Sequence, residues 1–141
     1  MLYKKMKRKI IFFGWFWIVT GIIIGAIVSM WAFNGPLTPP SSMEDYAALP
    51  RRFLRLSHIA FIALGMINIL YGLCYDLANL KKTFKEISSV FLVTGTLLMP
   101  LILLFSAFIE KLKLFSALPI SLILISLIIF CYGLSRNRKM E

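Results

Sequence analysis

The chain has 141 residues, of which 60% are hydrophobic and only 16% are charged, and its formal net charge is +10. An ordinary soluble domain is about half apolar and about a quarter charged, so this composition excludes that class of protein. The apolar residues form four runs, each long enough for a helix that crosses a hydrocarbon layer about 30 Å thick. We therefore expect an all-α integral membrane protein with four transmembrane helices in an antiparallel bundle.

The predicted spans lie at about 10–33, 53–75, 87–109 and 114–134, joined by an outer loop at 34–52 and a cytoplasmic loop at 76–86. They occupy most of the chain, which predicts one membrane domain, 1–141. Lys and Arg are concentrated at the N-terminus, in the 76–86 loop and at the C-terminus. This bias predicts that both termini are cytoplasmic, in a bacterial inner (plasma) membrane. Because topology explains the basic excess, no nucleic-acid partner is expected.

The first span has small residues on one helical face, Gly14, Gly21 and Gly25, the last two forming a GxxxG motif. Small residues allow two backbones to approach closely in lipid, so this face is a candidate helix-packing surface. The motif leaves open whether the partner is another span or another protein. Trp15 and Trp17, near the cytoplasmic boundary, are interpreted as part of an aromatic belt.

The outer loop contains a candidate capping box, in which Ser41 is followed three residues later by Glu44. Pro50 suits the first turn of the next helix. The carboxylates of Glu44 and Asp45 are expected to pair with nearby arginines, namely Arg51, Arg52 or Arg55.

The second span carries His58, Gly65, Gly72 and Asp76 on one helical face, flanked by Asn68. A lipid-facing helix would not keep these polar and small residues on one side. We therefore expect this face to contact other helices, a cofactor or a partner chain. Asp76 is expected to pair with a basic side chain of the following loop, either Lys81 or Lys82.

His58 has three interpretations. It is a structural histidine, a haem ligand, or a residue that handles protons or binds a ligand. In the last case it forms an outer-leaflet pocket in which Arg51 and Arg55 bind a haem propionate, a quinone or an anionic lipid. Haem b held by two histidines needs a second histidine, which the chain lacks. Met66 lies eight residues further along the same helix and cannot bind the opposite side of one iron, so the second ligand would have to come from a symmetry mate or another subunit. No cofactor is therefore expected, and haem b is the alternative.

The third span has Ser88 and Gly95 on one face, and Pro100 is expected to kink it. Gly95 is a further candidate for close helix packing. The two cysteines, Cys74 and Cys131, are expected to be reduced, and neither has the spacing of a metal site.

Two short matches suggest an internal repeat. The segment Trp17–Gly21 resembles Phe91–Gly95, and Tyr71–Leu73 resembles Tyr132–Leu134. The chain is therefore a candidate for two repeated helical hairpins, 10–75 and 87–134.

The sequence contains no recognisable catalytic set. Its first functional hypothesis is a non-enzymatic accessory or structural subunit that packs against other membrane proteins, or against copies of itself, through the glycine face of the first span and the polar face of the second. The outer-leaflet binding module is the alternative. A small-solute transporter along the face of His58, Asn68 and Asp76 is the third hypothesis.

Overall fold

The computed structural model describes residues 2–31 and 35–136, and within these ranges the chain is all helical. The helices are α1 (Leu2–Ser29), α2 (Leu49–Cys74), α3 (Lys82–Ser106) and α4 (Ala117–Ser135), with short 3₁₀ helices at Ser41–Met43 and Glu110–Ser116. Four helical segments in this part of the chain are long and apolar enough to cross a membrane. The expected number of helices is thus confirmed.

The helices differ from the predicted spans mainly at their ends. α1 begins at Leu2 because its basic residues are good helix formers although they are not apolar. It ends at Ser29, before the predicted limit of 33. The predicted capping box is wrong, because the 3₁₀ helix at Ser41–Met43 begins after Pro40 without a side-chain cap. Pro50 does lie in the first turn of α2, as expected.

The most extensive interface joins α1 and α2. A Cβ atom placed on Gly14 would lie 2.6 Å from the carbonyl oxygen of Gly65, so the two backbones are nearly in contact there. Further along α1, Gly21 faces Phe61, and Gly25 faces His58. Toward the other end of the interface, Gly72 contacts Ile11. Later positions of α1 therefore meet earlier positions of α2.

The second close pair is α3 and α4. Gly95 lies against the backbone of Pro119 and the side chain of Ile123. The hydroxyls of Ser88 and Ser126 each donate a hydrogen bond to the other's backbone carbonyl, at 3.0 and 2.7 Å. Each serine supplies an additional bond beyond its own helix, which holds the two backbones together.

An aromatic and aliphatic core connects the two helix pairs. Tyr71 of α2 and Phe130 of α4 have ring centroids 4.2 Å apart. The buried members of this cluster are Ile10, Tyr71, Tyr75, Ala78, Leu92 and Phe130. A second cluster contains Met43 of the loop between α1 and α2, for which we keep the label outer loop, with Leu54 of α2 and Ala107 after α3. The outer loop is thus packed onto the helices through a buried methionine.

Two contacts define what we call the terminal end of the bundle. Lys7 of α1 forms an ion pair with Asp76 at 2.7 Å, and the backbone N–H of Asn79 donates to the carbonyl of Gly133 at 2.8 Å. The start of α1, the end of α2 and the end of α4 therefore lie together. The opposite end, which we call the loop end, carries the two 3₁₀ helices.

The proposed repeat remains a prediction. Gly21 and Gly95, which are equivalent in the suggested alignment, both lie against the following helix. The other equivalent pair differs, since Gly72 contacts α1 whereas Gly133 contacts Leu80 in the loop between α2 and α3.

Candidate functional site

Arg51 is a buried cation at the loop end, with only 9% of its surface exposed. Its guanidinium donates to the backbone carbonyls of Glu44 and Trp31. A planar guanidinium with several fixed donors suits this arrangement, because two acceptors on different segments can be held at once. Arg51 therefore fastens the outer loop to α1 and α2.

Arg55 is also directed to the outer loop. It donates to the carbonyl of Tyr46 at 3.0 Å, and its guanidinium lies 4.1 Å from the centroid of the Tyr46 ring. Such a cation–π contact adds to the hydrogen bond. Both candidate ligand-binding arginines are thus engaged with the chain itself.

The expected pairing of these arginines with Glu44 and Asp45 is not what the structure shows. Arg51 contacts the backbone oxygen of Glu44, and one carboxylate oxygen of Asp45 accepts from the N–H of Ala47 at 2.9 Å. The ion pairs described are Lys7–Asp76, Lys82–Glu86 and Lys113–Glu110. The physical reason is that backbone carbonyls of the loop lose water when the loop packs on the helices and then need a donor. An exposed carboxylate keeps its water and gains little from an ion pair.

His58 lies against α1 rather than with the two arginines. Its ring Cδ2 is 3.2 Å from the position of a Cβ on Gly25, so the glycine makes room for the imidazole. Its Nδ1 atom is buried and has no hydrogen-bond partner in the described part of the chain. The three residues predicted to bind a ligand therefore make separate contacts: Arg51 and Arg55 with the loop, and His58 with α1.

Asn68 is fully buried between α2 and α3. Its amide nitrogen donates to the carbonyl of Leu64 at 2.8 Å and to the hydroxyl of Thr96 at 3.0 Å. Its carbonyl oxygen has no partner among the described atoms. The side chain acts as a link between helices, since an isolated amide in hydrocarbon is costly.

A tryptophan completes this central cluster. Pro100 has no N–H, so the carbonyl of Thr96, four residues earlier, loses its usual partner within α3. The indole Nε1–H of Trp17 donates to that carbonyl at 2.8 Å. Trp17 is only 6% exposed, so its assignment to an interfacial aromatic belt is wrong. The available signal was Pro100, which identifies the carbonyl that needs an external donor.

Two hydroxyl groups also form hydrogen bonds between α2 and α3. Ser57 donates to the carbonyl of Pro100 at 3.2 Å, which joins α2 to α3. The Tyr71 hydroxyl donates to Ser88 at 2.9 Å.

The partner of Asp76 differs from the expected one. The sequence predicted a lysine of the following loop, and in the structure Asp76 pairs with Lys7 of α1.

The described residues offer little metal or thiol chemistry. Among them there is no group of three or more His, Cys, Asp or Glu side chains that would hold a metal ion. Cys74 and Cys131 are both free. Several buried polar contacts of the described residues join one helix to another. Comparison of the chain with family models, with curated proteins and with solved structures found no significant match.

Proposed function

We propose that the chain is a small non-enzymatic, multi-pass membrane protein that acts as an accessory or structural subunit of a membrane assembly. In this proposal the four helices cross a bacterial inner membrane as an antiparallel bundle, with both termini in the cytoplasm. The concentration of Lys and Arg at the terminal end supports that orientation.

One observation carries the proposal: Arg51, Asn68 and the glycines that distinguish the sequence are used in its own packing. Arg51 and Asn68 are buried and hydrogen-bonded, and Gly14 and Gly65 are in mutual contact. A binding module or a transporter would need such groups for its ligand. A structural subunit needs them only for a rigid bundle.

The surface for a partner is then the outward face of α1. Its glycine face is covered by α2, so the sequence-based idea that partners dock on those glycines is replaced by docking on the opposite side. That side carries large exposed apolar residues, including Phe12, Trp15, Phe16, Val19, Ile22 and Ile23. Such side chains can face either lipid or a helix of a partner protein, and a crosslinking experiment distinguishes these two environments.

The test places a photo-reactive amino acid at Ile23 of α1, with Leu124 of α4 as the matched control, since both side chains are more than half exposed. Cells are irradiated, and complexes extracted with mild detergent are analysed by native mass spectrometry. We expect a single membrane polypeptide in fixed stoichiometry, crosslinked from position 23 and not from 124. Extraction of a bare monomer with only lipid adducts at both positions would overturn the proposal.

The outer-leaflet binding module is the second candidate, and the unpaired buried Nδ1 of His58 is the observation that favours it. The same mass spectra test it. A haem or quinone adduct that disappears in His58→Ala, without loss of the folded bundle, would favour the binding module over the subunit.

A further inference from the structure

The terminal end of the bundle contains a cavity of about 420 Å³ between the loop that follows α2 and the last turns of α4. It is independent of Arg51, Arg55 and His58, which lie toward the loop end. Its walls are mostly apolar, from Leu80, Phe84, Ile128, Ile129 and Tyr132. Two cations complete the lining, Lys81 from the loop and Arg136 from just beyond α4.

The cavity has a fixed wall. Leu80 packs so closely on Gly133 that a Cβ there would lie 2.5 Å from the leucine Cγ. The adjacent Asn79 N–H donates to the carbonyl of Gly133 at 2.8 Å. The loop is therefore attached to α4 by a backbone hydrogen bond and a side-chain contact, and Lys81 of this loop and Arg136 after α4 line the same cavity.

The two cations that line the cavity are not neutralised by an ion pair within the described part of the chain. Lys81 and Arg136 are both exposed, and neither belongs to a described ion pair. The nearby acids have other partners, Glu86 with Lys82 and Asp76 with Lys7. The lining of the cavity thus combines two cations outside any described ion pair with apolar side chains.

We propose that this cavity binds one anionic phospholipid, with an acyl chain against Phe84 and Ile128 and the phosphate between Lys81 and Arg136. Cations at the ends of membrane helices bind anionic headgroups, and a guanidinium and an ammonium together provide several donors to phosphate oxygens. The apolar wall distinguishes this site from diffuse attraction to the membrane surface, because the wall contacts the acyl chain of the lipid while the cations contact its headgroup.

The experiment uses the full chain in nanodiscs of equal phosphatidylglycerol and phosphatidylcholine, released into the gas phase for native mass spectrometry. We expect one retained phosphatidylglycerol per chain in preference to phosphatidylcholine. At about 1 kcal/mol for each cation, the double variant Lys81→Gln/Arg136→Gln should lower that preference about thirtyfold. The charge-conserving variant Lys81→Arg/Arg136→Lys should retain it.

Two further variants separate the site from general electrostatics. Lys111→Gln/Lys113→Gln removes the same charge at the loop end and should leave the preference unchanged. Ile128→Trp fills the cavity without changing charge and should abolish retention. Thermal unfolding identifies variants that have lost the fold. Equal retention of the two lipids, an unaltered preference in the Lys81/Arg136 glutamine variant, or an equal loss in the loop-end control would each overturn the proposal.

Discussion

Pro100 and Trp17 are remote in sequence and act together in the structure. Pro100 leaves the Thr96 carbonyl without a partner in α3, and the Trp17 indole supplies the missing donor from α1 at 2.8 Å. Interhelical hydrogen bonds in membrane proteins contribute about 0.6 kcal/mol on average and about 1.7 kcal/mol at most. A buried acceptor left unpaired costs about 1–3 kcal/mol. The contribution of the Trp17 indole to the free energy of unfolding therefore depends on Pro100.

We predict that Trp17→Phe lowers the free energy of unfolding by about 1–2 kcal/mol, because the Thr96 carbonyl loses its donor. In a Pro100→Ala background the loss should be smaller, since alanine restores a backbone N–H to that carbonyl. Reversible unfolding in mixed micelles by titration with SDS measures all four proteins of this double-mutant cycle.

Trp15→Phe is the control, because Trp15 is 58% exposed and has no described hydrogen bond. Its effect should be small and independent of position 100. Equal losses for Trp17→Phe in the two backgrounds would contradict the link between Pro100 and Trp17.

The sequence identified these residues individually and could not pair them. Pro100 was expected to shape α3, and Trp17 to lie at the membrane interface. Local sequence shows that proline frees a carbonyl, but it does not show which helix lies beside that carbonyl. The predicted ion pair of Arg51 with a carboxylate failed for the same reason. The fold of the outer loop decides which acceptors Arg51 can reach, and it places the backbone carbonyl of Glu44 there.

At the scale of elements, α1 and α2 show what a small-residue pattern can predict. Gly14, Gly21 and Gly25 were expected to form a close-packing face, and the structure places all three against α2. The pattern did not identify the partner, because a GxxxG face suits a helix of the same chain and a helix of another protein equally well. The structure assigns this face to α2.

Alanine substitutions along this interface should have unequal effects. A Cβ at Gly14 would meet the Gly65 backbone at 2.6 Å, and a backbone cannot move without separating the helices. At Gly25 the nearest atom is in the His58 ring, at 3.2 Å, and that side chain can rotate. We expect Gly14→Ala to cost about 1–3 kcal/mol of unfolding free energy. Gly25→Ala should stay within about 0.5 kcal/mol of the wild type.

The SDS titration used for Trp17 measures this pair as well, and the two variants control for each other because each adds one methyl group to α1. Equal losses at the two positions would show that the spacing between α1 and α2 is not set by the contact of Gly14 with Gly65.

At the scale of the whole molecule, hydropathy was sufficient to predict four helices, since each apolar run is long enough to span the membrane. The contacts at the two ends of the bundle were less predictable. Asp76 was assigned a partner in its own loop, and the structure pairs it with Lys7, whose position beside α2 follows from the packing of α1. Long-range ion pairs of this kind depend on which helix ends lie together.

The proposed membrane orientation predicts opposite accessibility for the two ends. In a background with Cys74→Ala and Cys131→Ala, single cysteines are placed at Ser42 in the outer loop or at Lys82, the first residue of α3; both positions are exposed. A membrane-impermeant maleimide should label Ser42→Cys on intact cells and Lys82→Cys only after permeabilisation. The reverse pattern would overturn the orientation, and labelling of both on intact cells would overturn the antiparallel bundle.

The bond between Trp17 and Thr96 also bears on the order in which the protein is made. α1 and α2 are complete once residue 74 has been synthesised, and their glycine contacts can then form. The acceptor of the Trp17 indole, the carbonyl of Thr96, is synthesised later. At about 5–20 residues per second, synthesis from residue 74 to residue 96 takes roughly one to four seconds. During that interval the Trp17 donor of the first hairpin lacks this acceptor, and the arrival of α3 supplies it. The hairpin of α1 and α2 therefore carries a specific docking point for α3 before α3 is in place.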